Sequence, residues 1–395
     1  MATTAETLRA YRGPAILSFG FRPFFLGGAL WAVIAMAIFV GLLWGGLQLP
    51  TAMSPIDWHI HELLYGFLPA IVAGFLLTAV PNWTGRLPVA GTPLALLFAA
   101  WLAGRGAVAF SSVIGPVPAA ILDLAFLAGL SAVIAREIIA GKNVRNLKVL
   151  FLVGLLAVGN AIFHIEIIMQ GIAGYGIRFG VGAAIMLIIL IGGRIVPSFT
   201  RNWLARRKSK PLPVPFNRYD AIAIAVAMIA IASWIAIPES LLTAAFAVVA
   251  GIVHTVRLVR WKGILSFSEP LVTVLHAGYG FVPLGFLLLG LSIVRPDILL
   301  PSAAIHGWTA GAVGLMTLAV MTRATLGHSG RDLTASPGIV AIYMAAGTGA
   351  FARIAAGFDF EPEFMLKLGA LGWMLAFGGF CALFAPLLAG TRRTG

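Results

Sequence analysis

Between Arg22 and Asp57 the chain carries neither a charged residue nor a histidine, and the middle of that stretch reads "GGALWAVIAMAIFVGLLWGG". A helix needs about 20 apolar residues to cross the hydrocarbon core of a bilayer. In lipid only a helix or a closed barrel satisfies its own backbone hydrogen bonds. The run is continuously apolar and does not alternate, so it predicts a membrane-spanning helix. Eleven further runs follow it. The twelve spans fall near 22–47, 60–80, 94–110, 114–136, 147–170, 178–197, 219–237, 241–257, 269–292, 303–323, 336–356 and 364–389. With 60% hydrophobic and 10% charged residues, the chain has too few charges to cover a soluble surface. The expected fold class is all-α: a polytopic membrane bundle of about twelve transmembrane helices, in one integral membrane domain over residues 1–395. No inserted soluble domain is expected. Residues 1–18 and 390–395 are short tails, and the first is too polar for a cleaved signal segment. The single cysteine, Cys381, rules out a disulfide framework and is expected to pack as a small hydrophobe.

The basic residues orient this bundle. With the N-terminus in the cytoplasm, 22 of the 27 Lys and Arg fall on inner ends or loops, among them Arg9, Arg392 and Arg393. Only Arg105, Arg178, Arg295, Arg353 and Lys367 fall on the outer side. The asymmetry follows the positive-inside rule and places both termini in the cytoplasm. It also accounts for the net charge of +13. These basic patches alternate with spans, so they are expected to meet anionic lipid headgroups and not nucleic acid. The longest loop is the basic stretch 201–218, "RNWLARRKSKPLPVPFNR".

Against this background the histidines stand out. "DWHIHELLYGF" at 57–67 sets His59 and His61 beside Asp57 and Glu62 at the mouth of an apolar run. By depth, His59, His61, His164 and His306 all lie toward the outer side, on three spans, with Glu62 and Glu166 at the same level. His276 and His328 lie toward the inner side. His254, in "GIVHTVRLVR", reads as an interfacial residue. Ionisable groups inside a membrane are costly and mark pathways, relays or ligand sites. Neutral imidazole suits iron, copper and zinc, and haem needs one or two axial histidines in an apolar pocket. Without cysteine clusters, thiolate and iron–sulfur sites are excluded. His59 and His61 are two residues apart, so on a regular helix they point to nearly opposite sides.

A faint repeat runs through the chain. His61 to Arg86 and His306 to Arg331 are equal in length, and each ends in a hydroxyl residue followed by Gly-Arg. "VPNWTGR" at 80–86 is echoed by "VPSFTR" at 196–201. These segments lie on spans 2, 6 and 10, a spacing that suggests three pseudo-repeats of four helices.

Taken together, "FRPFFL" at 21–26, "WHIHELLYGF" at 58–67, "GFLLTAVPNWTGR" at 74–86, "GGRIVPSFTRN" at 192–202, "HAGYGFVPLGF" at 276–286 and "HGWTAGAVGLMTLAVMTRATLGHSGR" at 306–331 resemble the NnrS family. These are bacterial inner-membrane proteins tied to nitric oxide and denitrification. The resemblance runs from about residue 20 to 390. Ser329 stands where the family commonly has threonine, and Ile60 where it has alanine.

The resemblance implies twelve spans, bound haem (of a type the sequence leaves open) and copper, and a role in nitric oxide metabolism or resistance to nitrosative stress. It maps the family's histidine motifs onto His59, His61, His164, His276, His306 and His328 as metal ligands. Glu62 and Glu166 are then expected to orient ligands or carry protons. Arg22, Arg86, Arg194, Arg323 and Arg331 are candidates for pairing with haem propionates, because a guanidinium suits a carboxylate fork. The expected activity is reductive coupling of nitric oxide. The electrons would come from a quinol or a redox protein, since no Cys-x-x-Cys-His motif is present. Two other readings stay open: a non-enzymatic protein that binds nitric oxide or protects against it, and a transporter or cofactor-delivery protein.

Overall fold

The computed structural model describes residues 11–390. Twelve of its helices are long and apolar enough to cross a membrane. We number them α1 (Phe21–Trp44), α2 (Pro55–Thr84), α3 (Thr92–Ala109), α4 (Pro116–Ala140), α5 (Val144–Gln170), α6 (Tyr175–Arg206), α7 (Arg218–Ala236), α8 (Leu241–Val259), α9 (Pro270–Val294), α10 (Pro301–His328), α11 (Pro337–Ala356) and α12 (Pro362–Ala389). No strand occurs among the described residues. The protein is a multi-pass helical membrane bundle.

The helix starts are written in the sequence. Six of the twelve begin with proline, whose fixed φ and missing N–H suit the first helical position. Ser54, Asn217, Ser240 and Ser336 cap α2, α7, α8 and α11 through side-chain oxygens, and Asn217 completes a capping box with Asp220. The hydroxyl–Gly–Arg motifs that end α2 and α10 have a shared backbone cause. Gly85 and Gly330 sit at φ +70° and +69°, the left-handed conformation that glycine adopts without strain. The shared Val-Pro-x-x-Thr pattern likewise has one geometry. Thr84 donates to the Val80 carbonyl and Thr200 to the Val196 carbonyl, each at 2.8 Å.

Three departures from the sequence expectation are local. The basic stretch 201–218 is not all loop, because α6 continues to Arg206 before the chain turns. Spans 3 and 4 are separated by a further short helix, Ser111–Ile114, and by Gly115 at φ +93°. Both α2 and α10 contain a π-helical turn, Glu62–Phe67 and Gly307–Val313, each directly after a histidine. Arg9, Arg392 and Arg393 lie outside the described residues.

The helices pack as two compact units. The first comprises Met1–Gly180, Ala324–Arg331 and Phe380–Gly395 as far as they are described, and the second Val181–Arg323 and Asp332–Gly379. In the first unit α2 is the most enclosed helix, with 78% of its core window buried against 28% for α1. The foot of α1 is pinned by aromatic contacts of Phe24 with Phe98 and Phe126, at 5.4 and 5.6 Å. In the second unit α10 and α6 are similarly enclosed. A helix buried on all sides must find partners within the protein for any polar side chain it carries, and the charged centre of the molecule is on α2.

Candidate metal centre

His61 closes the first turns of α2, just before the π-helical turn. Its ring is completely buried. Nδ1 lies 3.0 Å from Glu62 Oε1. Nε2 faces three groups: His164 Nε2 at 3.2 Å, Asn160 Oδ1 at 3.1 Å and Asp123 Oδ2 at 3.2 Å. His164 Nε2 lies 3.0 Å from the same Asp123 oxygen, and Asn160 Nδ2 donates to it at 2.7 Å. Side chains of five helices thus meet here, since Glu62 also accepts from Trp31 Nε1 of α1 at 2.8 Å and from Arg105 of α3.

Arg105 ties the two carboxylates together. Its Nη1 lies 2.8 Å from both Glu62 oxygens, and its Nη2 donates to Asp123 Oδ1. Gly66, one helical turn beyond Glu62, makes room for this. A Cβ there would stand 2.4 Å from Arg105 Nη1 and 2.9 Å from Glu62 Oε2. The "HELLYGF" motif therefore specifies a histidine, its carboxylate partner and the gap that admits a guanidinium.

The arrangement has definite chemistry. His61 Nε2, His164 Nε2 and one Asp123 carboxylate oxygen all lie within 4.8 Å of one another. Donor atoms at about 2.0–2.1 Å from a tetrahedral ion are about 3.3 Å apart, close to the separations seen. The Nδ1–H of His61 directed at Glu62 leaves Nε2 as the ligand atom, the carboxylate–histidine–metal pattern that sets the tautomer and ring orientation. Charge points the same way. Two carboxylates, Glu62 and Asp123, share one guanidinium in a buried site, an arrangement that favours a cation or a proton at the His61 and His164 nitrogens.

The remaining sequence candidates are placed as follows. His59 is half-buried and stacks on Phe39, with centroids 3.9 Å apart, on the other side of α2 from His61. Glu166 is buried and accepts from the backbone N–H groups of Gly174, Tyr175 and Gly176 at 2.8–2.9 Å. It caps the start of α6. In the second unit, His306 donates from Nδ1 to the Ser302 carbonyl at 2.7 Å, and Arg353 Nη2 lies 3.1 Å from its Nε2. His276 is buried with Nε2 at 2.7 Å from Thr200 Oγ1. His328, in the first unit, is exposed and sits beside the Phe19 and Phe21 rings.

Among the arginines, Arg22 donates to the carbonyls of Ala15, Leu388 and Gly390. Arg86 pairs with Glu137, Arg323 lies over the Phe199 ring, and Arg194 and Arg331 are exposed. His254 corrects the interfacial reading. It is fully buried, between Tyr279 Oη at 2.9 Å and the Ala223 carbonyl at 3.0 Å.

Asp123, Arg105 and Asn160 were missed by sequence reasoning. The signal was there for two of them. Each is an ionisable residue inside an apolar span, the pattern that marks a site, but Arg105 was read only as an outer-side charge.

A family model described as NnrS protein matches residues 15–392. The chain belongs to the NnrS family. Comparison with curated proteins gave no match. In this NnrS chain the His61–Asp123–His164 group is the one set of at least three His, Cys, Asp or Glu ligands that converges among the described residues.

Proposed function

We infer that this protein is a metal-dependent NnrS-family membrane protein that acts on nitric oxide by reducing it, with one copper-class ion held by His61, Asp123 and His164. The observation that carries the reading is the convergence of two imidazole nitrogens and a carboxylate oxygen in a buried centre. Imidazole donors suit copper, zinc and iron, and the NnrS resemblance favours copper. Bound by these three residues, a redox-active ion would supply a binding position for nitric oxide and a route for electrons. The chain's own residues do the rest. Glu62 fixes the His61 tautomer and holds a proton at the Nδ1–Oε1 contact. Arg105 holds both carboxylates in place. Asn160 orients the Asp123 oxygen. The closed helix packing excludes water.

Haem does not fit between these two histidines. Axial imidazoles on one haem iron lie on opposite faces of the macrocycle, with nitrogens about 4 Å apart across it. Here the two Nε2 atoms are 3.2 Å apart, with ring planes at 63°. The reading at these residues is for a single small ion.

The test is metal content per chain, paired with nitric oxide consumption under a chemical reductant. Wild type is expected to hold about one copper and to consume nitric oxide saturably. His164→Ala and Asp123→Asn are expected to lose both. Copper retained in both variants would remove the site. Copper lost with consumption unchanged would separate the ion from the activity. Copper bound without consumption would leave a nitric oxide-binding or protective role.

A further inference from the structure

The second unit contains a cavity of about 690 Å³ that the metal centre does not explain. It is lined by α9, α10, α11 and α12 and by the turn that leads into α9. Its long wall is one face of α11, from Val340 to Ala355, a length of about 22 Å at 1.5 Å per residue. The rim is open: Phe267, Met344 and Phe351 are 70%, 66% and 59% exposed. No charged residue lines it, and the walls are aliphatic, thioether and aromatic, with Phe281 and Phe351 in ring contact at 5.1 Å. The size falls within that of small-molecule sites, and the open side belongs to membrane-spanning helices.

Two features indicate the occupant. The absence of charge argues against a phosphate headgroup, which calls for Arg or Lys. The polar side chains of the lining are the hydroxyls of Thr273, Tyr343 and Thr348. Thr273 donates to the Ser266 carbonyl at 2.7 Å. Tyr343 Oη is hydrogen-bonded to Thr322 Oγ1. Thr273, its proton already donated, offers only lone pairs to the groove. It matches a ligand that brings its own O–H donor.

We propose that this groove binds a membrane quinol, the aromatic ring near Thr273 and Tyr343 and the isoprenoid tail along α11. As a binding site it stands independently of the metal centre. Only the quinol's role as electron donor rests on the reduction reading above.

Gly347 gives a clean test. A Cβ at this lining position meets nothing within 4 Å, so Gly347→Leu fills the groove without displacing protein and favours the helix. Gly106 on α3 is equally open and lies in the other unit, so Gly106→Leu is the control. The probes are radiolabelled decylubiquinol and decylubiquinone, added without oxygen to the protein in phosphatidylcholine nanodiscs. Saturable quinol binding near one per chain is expected, tighter than quinone, at least about tenfold weaker in Gly347→Leu, and unchanged in Gly106→Leu and His61→Ala. His61→Ala keeps the groove intact when the metal centre is lost, so the two readings fail separately. Absent binding, or binding indifferent to Gly347→Leu, would overturn the proposal. So would phospholipid retained by the wild type and displaced in Gly347→Leu without any quinol binding. Equal affinity for quinol and quinone would overturn the assignment of Thr273 as the acceptor.

Discussion

At the scale of single residues, the candidate metal centre is a problem in charge. Among the described residues Arg105 is the one guanidinium in contact with both Glu62 and Asp123, and all three are buried. Removing one member of a buried pair leaves an uncompensated charge and costs about 3–5 kcal/mol. Arg105→Met is therefore expected to lower the melting temperature sharply, and the double variant Arg105→Met with Glu62→Gln to recover part of the loss. Thermal unfolding in detergent checks this; a double variant that is no more stable than the single one would show that the pairing is not what the arginine supplies. Glu62→Gln alone acts differently. It keeps the shape of the side chain but weakens the acceptor that orients His61. Changes of this kind cost metal affinity about 10–100-fold, and a copper titration against a competing chelator would read it.

Two members of this cluster were legible in the sequence. His61 and His164 share a depth on two different spans, and their rings are 4.8 Å apart in the fold. The partners were not visible, because depth fixes height along the membrane normal and says nothing about rotation. Asp123 and Arg105 face the histidines only because α3 and α4 turn those positions inward.

At the scale of the element, the π-helical turn of α2 and the cap of α6 carry separate consequences. Each residue of a regular helix advances about 100°. Deleting Leu63 from the π-helical turn would rotate His61 by about that much against the remainder of α2. The expected outcome is loss of copper, whereas Leu63→Ala keeps the register and retains it. Equal copper in both variants would show that the turn does not aim the histidine. No periodicity argument reveals such a turn, since it inserts one residue without breaking the apolar run.

Glu166 makes the opposite case. Its carboxylate takes three backbone N–H groups at the start of α6, where a negative charge is favoured by the helix dipole. Glu166→Ala is expected to destabilise the protein by about 2 kcal/mol with copper content unchanged. The sequence placed this glutamate at the right depth for a proton carrier. A variant that kept its melting temperature but lost turnover would restore that role.

At the scale of the whole molecule, topology follows from counting. The basic linker between α6 and α7 and the turn between α9 and α10 are separated by three spans, α7, α8 and α9. An odd number of crossings puts them on opposite sides of the membrane whichever way the protein is oriented. The charge asymmetry gives the orientation to be expected. Arg206, Arg207, Lys208 and Lys210 crowd the first segment, whereas the second holds a single basic residue, Arg295. Positive segments are retained in the cytoplasm.

Single cysteines can report this, because Cys381 is the chain's only native one. In a Cys381→Ala background, Asp297→Cys is expected to react with a membrane-impermeant maleimide in intact cells or spheroplasts. Ser209→Cys should react only after permeabilisation. Labelling of both positions from the same side would contradict the span count between them. Labelling with the two sides exchanged would keep the count and reverse the orientation, setting the His61 centre toward the cytoplasm.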